Sequence, residues 1–168
     1  MKKFELTSET IIIFGNKTLF RIRALIDFGN VKVGDFGGFV EKEDNLSMSG
    51  NAWVYDNARV YGDARVYGNA EVSGDARVYG NAEVCGDAMV CGNADYTTIK
   101  GFGTAFRTTT FFRCKDELVR VSCGCFYGTI DEFRNQVKKT REEKIANEYL
   151  MIADLMEEHF RYLKGEER

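Results

Sequence analysis

A chain of 168 residues with 44% hydrophobic and 29% charged residues can bury a core and is too apolar to remain disordered. Its net charge of −3, from 23 bases and 26 acids, argues against a protein that coats long nucleic acid. Proline is absent, which fits unbroken β ladders, and five cysteines without an apolar leader behind Lys2 and Lys3 imply reduced thiols in the cytoplasm.

Residues 1–45 read as a small β cap. Phe4-Glu5-Leu6, residues 10–14 and residues 18–25 alternate and are rich in β-branched and aromatic side chains, with Gly15-Asn16-Lys17 as a hairpin turn between the last two runs. The apolar run at residues 11–14 is far too short to cross a membrane. Gly34-Asp35-Phe36-Gly37-Gly38-Phe39-Val40 and the charged Glu41-Lys42-Glu43-Asp44 complete the cap, which a stacked-repeat protein needs to cover its first unit.

Residues 46–96 follow a six-residue clock. Val54, Val60, Val66, Val72, Val78, Val84 and Val90 keep it, and an alanine stands two residues before each, from Ala52 to Ala88 and once more at Ala94. Asn or Asp precedes every alanine, and Gly precedes that, with Asp56 as the exception. Valine suits an interior, alanine a place where only a small side chain fits, and Gly with Asn or Asp a corner, since these residues tolerate positive φ. Units this short cannot bury their apolar side alone and must stack.

An aliphatic residue followed four positions later by a small one, as in Val60…Ala64 and Val78…Ala82, resembles the hexapeptide-repeat family of left-handed parallel β-helices. The resemblance implies three hexapeptides to a coil, about three coils, and strands roughly 4.8 Å apart. It also implies which residues stack on the outside. Tyr61 is expected above Tyr79, Arg59 above Arg77 and then Asp95, and Arg65 above Glu83.

Beyond the repeats the charge changes sign. Residues 46–96 hold seven acids and three bases, whereas residues 97–128 hold Lys100, Arg107, Arg113, Lys115 and Arg120 against Asp116 and Glu117. Residues 102–114 and 118–126 read as two strands of a hairpin joined at Lys115-Asp116-Glu117. Thr129-Ile130-Asp131-Glu132 is a capping box that opens a helix, and Thr140-Arg141-Glu142-Glu143 has the form of a second. Ile145, Tyr149, Ile152, Met156, Phe160 and Leu163 form a helical stripe, suited to packing or to self-association. The fold expected is therefore mainly β: a β cap over residues 1–45, a parallel β-helix over 46–96, and a β-hairpin with α-helices over 97–168.

Little of the sequence points to catalysis. Hexapeptide-repeat acyltransferases use a histidine base, and the carbonic anhydrases of that fold use three to hold zinc. Here the one histidine is His159, outside the coils. Cys114, Cys123 and Cys125 are metal candidates by type, with His159 or Cys91 as a fourth ligand, but buried free thiols are the commoner case, and no cofactor is expected. Lys100-Gly101-Phe102-Gly103-Thr104 fails both the Walker and the dinucleotide glycine patterns. The candidate ligand-binding residues are Lys100, Arg107, Thr109, Phe111 and Arg113. Arg107, Thr109 and Phe111 share one face of a strand, where they could grip a phosphate and stack a base. A ribbon with a polar outer face is the competing reading.

Four stretches also resemble small phage and prophage repeat proteins of unassigned activity: residues 19–25, residues 34–40, Asn45-Leu46-Ser47, and Gly124-Cys125-Phe126-Tyr127-Gly128-Thr129. In that group a His-Gly pair often follows the segment matching Val137-Lys138-Lys139-Thr140, where this chain has Arg141-Glu142. The expected function is that of a homo-oligomeric, non-enzymatic binding protein, dimer or trimer, that sequesters a small anionic ligand such as a nucleotide immune signal of a bacterial host. A structural, partner-binding scaffold is the alternative, with an acyltransferase-like enzyme third.

Overall fold

The computed structural model describes residues 1–162. The chain divides into two compact units, the first spanning Met1–Asn93 and the second beginning at Ala94.

In the first unit, strands β1 (Phe4–Ile13) and β2 (Lys17–Ala24) form an antiparallel hairpin, with Phe4 opposite Ala24 and Ile13 opposite Lys17. Gly15 and Asn16 both adopt positive φ, 83° and 57°, as the turn signal requires. The two apolar runs expected at residues 4–6 and 10–14 are one strand, because a bulge between Leu6 and Thr10 absorbs the polar residues between them. Strand β3 (Phe36–Val40) pairs antiparallel with β2 and parallel with a repeat strand, so hairpin and repeats share one sheet. Its glycine pair makes this possible. A Cβ on Gly37 would lie 2.5 Å from the Val54 carbonyl oxygen, and one on Gly38 2.5 Å from that of Ala58.

The repeats supply seven two-residue strands: β4 (Trp53–Val54), β5 (Arg59–Val60), β6 (Arg65–Val66), β7 (Glu71–Val72), β8 (Arg77–Val78), β9 (Glu83–Val84) and β10 (Met89–Val90). They stack into three parallel ladders, β4-β7-β10, β3-β5-β8 and β6-β9. Every valine from Val54 to Val90 and every alanine from Ala52 to Ala88 is at most 1% exposed, so the clock is the core. Tyr61 and Tyr79 stack at 5.3 Å with planes 10° apart, and the registers Arg59↔Arg77 and Arg65↔Glu83 form as expected.

Three details depart from expectation. The corner's positive φ belongs to the glycine position alone, and Asp56, standing where a glycine otherwise would, adopts it too at 53°. The Asn and Asp positions instead build a side-chain ladder, Asn51 Nδ2 donating to Asn69 Oδ1 at 3.1 Å and Asn69 Nδ2 to Asp87 Oδ1 at 3.2 Å. The clock also stops at Val90. Ala94 is exposed, Asp95 lies 3.4 Å from Arg113, and β8 is the last strand of its ladder.

Lys3 is 1% exposed in the cap. Its ammonium donates to the Ala52 carbonyl at 2.9 Å and lies 4.9 Å from the centre of the Phe28 ring. Burial lowers its pKa to about 8. Trp53, with Phe4 and Phe28 edge-on to it, fills the space beside it.

The second unit is a four-stranded antiparallel meander, β11 (Tyr96–Phe102), β12 (Arg107–Arg113), β13 (Val119–Cys123) and β14 (Phe126–Thr129), packed on helices α1 (Ile130–Thr140) and α2 (Glu143–Tyr162). The hairpin expected over residues 102–126 has half the strands found. Each expected strand contains a turn, one with Gly103 and Phe106 at positive φ and the other with Gly124. Thr129 is the capping box its sequence promised: its hydroxyl accepts from Glu132 N at 3.2 Å and its N–H donates to the Glu132 carboxylate at 2.8 Å. Thr140 is not a cap. It is the last residue of α1, and its hydroxyl donates back to the Gln136 carbonyl at 2.8 Å. Tyr149, Ile152, Met156 and Phe160 of the stripe are buried in the unit's core, Ile145 is partly buried against it, and Leu163 lies outside the described residues.

Candidate anion-binding site

The alternation of β12 places Arg107, Thr109 and Phe111 on one side of the strand, and that side faces the helices. This changes what they can do. Phe111 is fully buried and meets Phe133 edge-on at 6.3 Å, so its ring has no face left for a base. Thr109 is 2% exposed, and its hydroxyl donates to Cys123 Sγ at 3.1 Å. Arg113 lies 3.4 Å from the Asp95 carboxylate and donates to the Phe160 carbonyl at 2.9 Å, a packing role. Lys100, exposed on β11, is opposite Thr108 and therefore on the other face of the sheet from Arg107. The five residues do not converge. Arg113 lines a cavity shared with Glu117, Asp131 and Glu157, whereas Arg107, at the open end of its strand, reaches a different one.

That pocket is a cavity of about 440 Å³ between the end of the sheet and the helices. Arg107 enters from β12, Cys123 and Cys125 from the β13–β14 turn, and Gln136 and Thr140 from α1; Arg141 follows α1, and Tyr149 comes from α2. Two arginines line it among the described residues, and no carboxylate does. Among the described residues neither Arg107 nor Arg141 forms a salt bridge. The C-terminus of α1 opposes an anion with roughly half a negative charge, against two full positive charges.

Local structure holds these groups in place. Gly124 has φ 62°, which favours glycine at the turn, and a Cβ there would make the Arg107 guanidinium shift. The Tyr149 hydroxyl donates to the Phe102 carbonyl at 3.2 Å, and the neighbouring Glu148 accepts from the Gly103 N–H at 3.2 Å. Burial above all, then the Cys123 sulfur, raises the Tyr149 pKa, while Arg141 and Arg107 oppose the rise. The phenol is thus a neutral donor on which both guanidinium groups act.

Sequence reasoning reached Arg107 but missed Arg141, Gln136, Tyr149 and the two thiols as parts of one site. No shared period or spacing in the sequence links those residues. The other polar concavities are less selective. A groove of about 800 Å³ beside β6 mixes Lys42 and Arg65 with Glu43, Asp44, Asp63 and Glu83. His159 is exposed on α2, edge-on to Phe160. Among the described residues no three His, Cys, Asp or Glu side chains gather as metal ligands.

The repeats match the family model of the YdcK beta solenoid repeat in three overlapping windows, residues 52–68, 58–74 and 64–80. The windows advance by the same six residues as the valines. The chain is a β-solenoid repeat protein. The match lies within the solenoid and reaches none of the pocket residues. No curated protein matches the chain. No helix of the described residues is long and apolar enough to cross a membrane.

Proposed function

We propose that this β-solenoid protein is a non-enzymatic binder that retains a small anionic ligand between Arg107 and Arg141. The observation that carries the reading is a cavity lined, among the described residues, by two arginines without salt bridges and no carboxylate, in a chain of net charge −3. Paired guanidinium groups suit a phosphate or carboxylate, because each offers planar, bidentate donors. Tyr149, Phe126 and Phe133 give the same cavity an aromatic wall, which makes a nucleotide a fitting ligand. In this reading the solenoid is a left-handed parallel β-helix of the hexapeptide type, the protein is a dimer or trimer, and its setting is phage-encoded, in the host cytoplasm. Sequestering a nucleotide immune signal is the role that joins these features.

The test is to incubate the purified protein with nucleotides, cyclic nucleotides and CoA esters, remove the free ligand, denature by heat and identify what is released. Intact nucleotide released from the wild type and none from Arg107→Ala, with an unchanged circular dichroism spectrum, is the expected result. Chemically altered ligand supports an enzyme instead. A scaffold is the second reading, favoured by Met151 and Leu155, which are 67% and 59% exposed one turn apart on α2. It predicts no ligand retention and loss of a host partner on Met151→Lys.

A further inference from the structure

We propose that the pocket is also a site of reversible S-thiolation, in which Cys125 forms a mixed disulfide with an anionic low-molecular-weight thiol. The proposal rests on the anion-binding reading of the same cavity. Cys123 and Cys125 flank Gly124, and the Arg107 guanidinium lies against that glycine, so an anion held by Arg107 is brought to the turn that carries both sulfurs. The two thiols differ in access. Cys123 is half-buried and takes a hydrogen bond from Thr109, whereas Cys125 is exposed. Cys125 is therefore the attacking group.

The step is thiol–disulfide exchange. The Cys125 thiolate attacks one sulfur of an anionic disulfide such as glutathione disulfide, the S–S bond breaks, a Cys125–S–S bond forms, and glutathione leaves as its thiolate. The oxidant is the disulfide itself, and excess thiol reverses the reaction. The carboxylates of the bound half remain on Arg107 and Arg141, and the adduct occupies the cavity, so thiolation and ligand retention exclude each other.

The molecule contains its own control. Cys91 is also exposed, but it belongs to the solenoid, whose surrounding residues 46–96 carry seven acids against three bases. The reduced protein is treated with glutathione disulfide or with the cationic disulfide cystamine at matched ionic strength, quenched at intervals and mapped by peptide mass spectrometry. Glutathione disulfide is expected to modify Cys125 about tenfold faster than Cys91, cystamine is expected to lose or invert that preference, and Arg107→Gln with Arg141→Gln is expected to abolish it. Citrate is expected to slow the reaction at Cys125 and not at Cys91. Equal rates at the two cysteines with both disulfides would overturn the proposal. Protection of the pocket by citrate while Cys125 stays unmodified would overturn S-thiolation and leave anion binding standing. Indifference of Cys125 to citrate, disulfide charge and both arginine variants would overturn the two together.

Discussion

Lys3 shows how a single buried charge writes a pH dependence into the fold. Its native pKa of about 8 lies below the ordinary 10.5, so between those values the unfolded chain binds more protons than the folded one. Unfolding free energy must therefore rise with pH across that window. Below pH 8 the ammonium is charged in both states and the burial penalty is fully present. The expected outcome is that wild type gains about 2–3 kcal/mol over Lys3→Met between pH 7 and pH 10 in parallel urea titrations. Taking the difference between the two proteins cancels the tyrosines and cysteines that titrate nearby. Gly124 makes a second case at this scale. Gly124→Ala is expected to cost about 1–2 kcal/mol through its positive φ and to weaken anion retention by displacing Arg107. Unchanged retention in that variant would separate the turn from the site.

At the scale of elements, two look-alike motifs meet different fates. Thr129 and Thr140 both stand three residues before a glutamate, yet only Thr129 makes the reciprocal bonds of a capping box. Thr129→Ala is accordingly expected to destabilise the second unit by about 1 kcal/mol and Thr140→Ala by no more than a few tenths, measured by thermal unfolding. The local pattern is the same in both, and what differs is whether the preceding chain is already helical. The strands of this unit teach the same lesson. The two expected strands, residues 102–114 and 118–126, carry β propensity nearly throughout, so the turn inside each is marked only by Gly103 and Phe106 or by Gly124 at positive φ. A glycine within a strand pattern can mark a turn, a bulge or a close approach, and the sequence does not choose among them. Gly37 and Gly38 are the contrasting example, since they sit within β3 because a repeat coil passes against them.

Across the whole molecule, two cationic surfaces compete as the ligand site. Arg59 and Arg77 flank the stacked tyrosines of the solenoid, while Arg107 and Arg141 line the cavity of the second unit. The tyrosine faces already stack on each other, and an open sheet surface screens its charges with water. Arg59→Gln with Tyr61→Ala is therefore expected to leave ligand retention unchanged, where Arg107→Gln with Arg141→Gln removes it. Loss of retention in the solenoid variant would move the site to the ladder. The sequence by itself determined the solenoid: its interior, its small-residue positions and the stacking of Tyr61 on Tyr79. A six-residue period repeats the same local choice at every step, so the core follows from spacing, while the ladder partners eighteen residues apart followed from the resemblance to three-repeat coils. Only the tertiary structure decided the pocket. Arg107, Cys125, Arg141 and Tyr149 have no common period, and helix packing brought Arg107 and Arg141 together while it buried Phe111, the aromatic residue that the strand pattern had offered to a ligand.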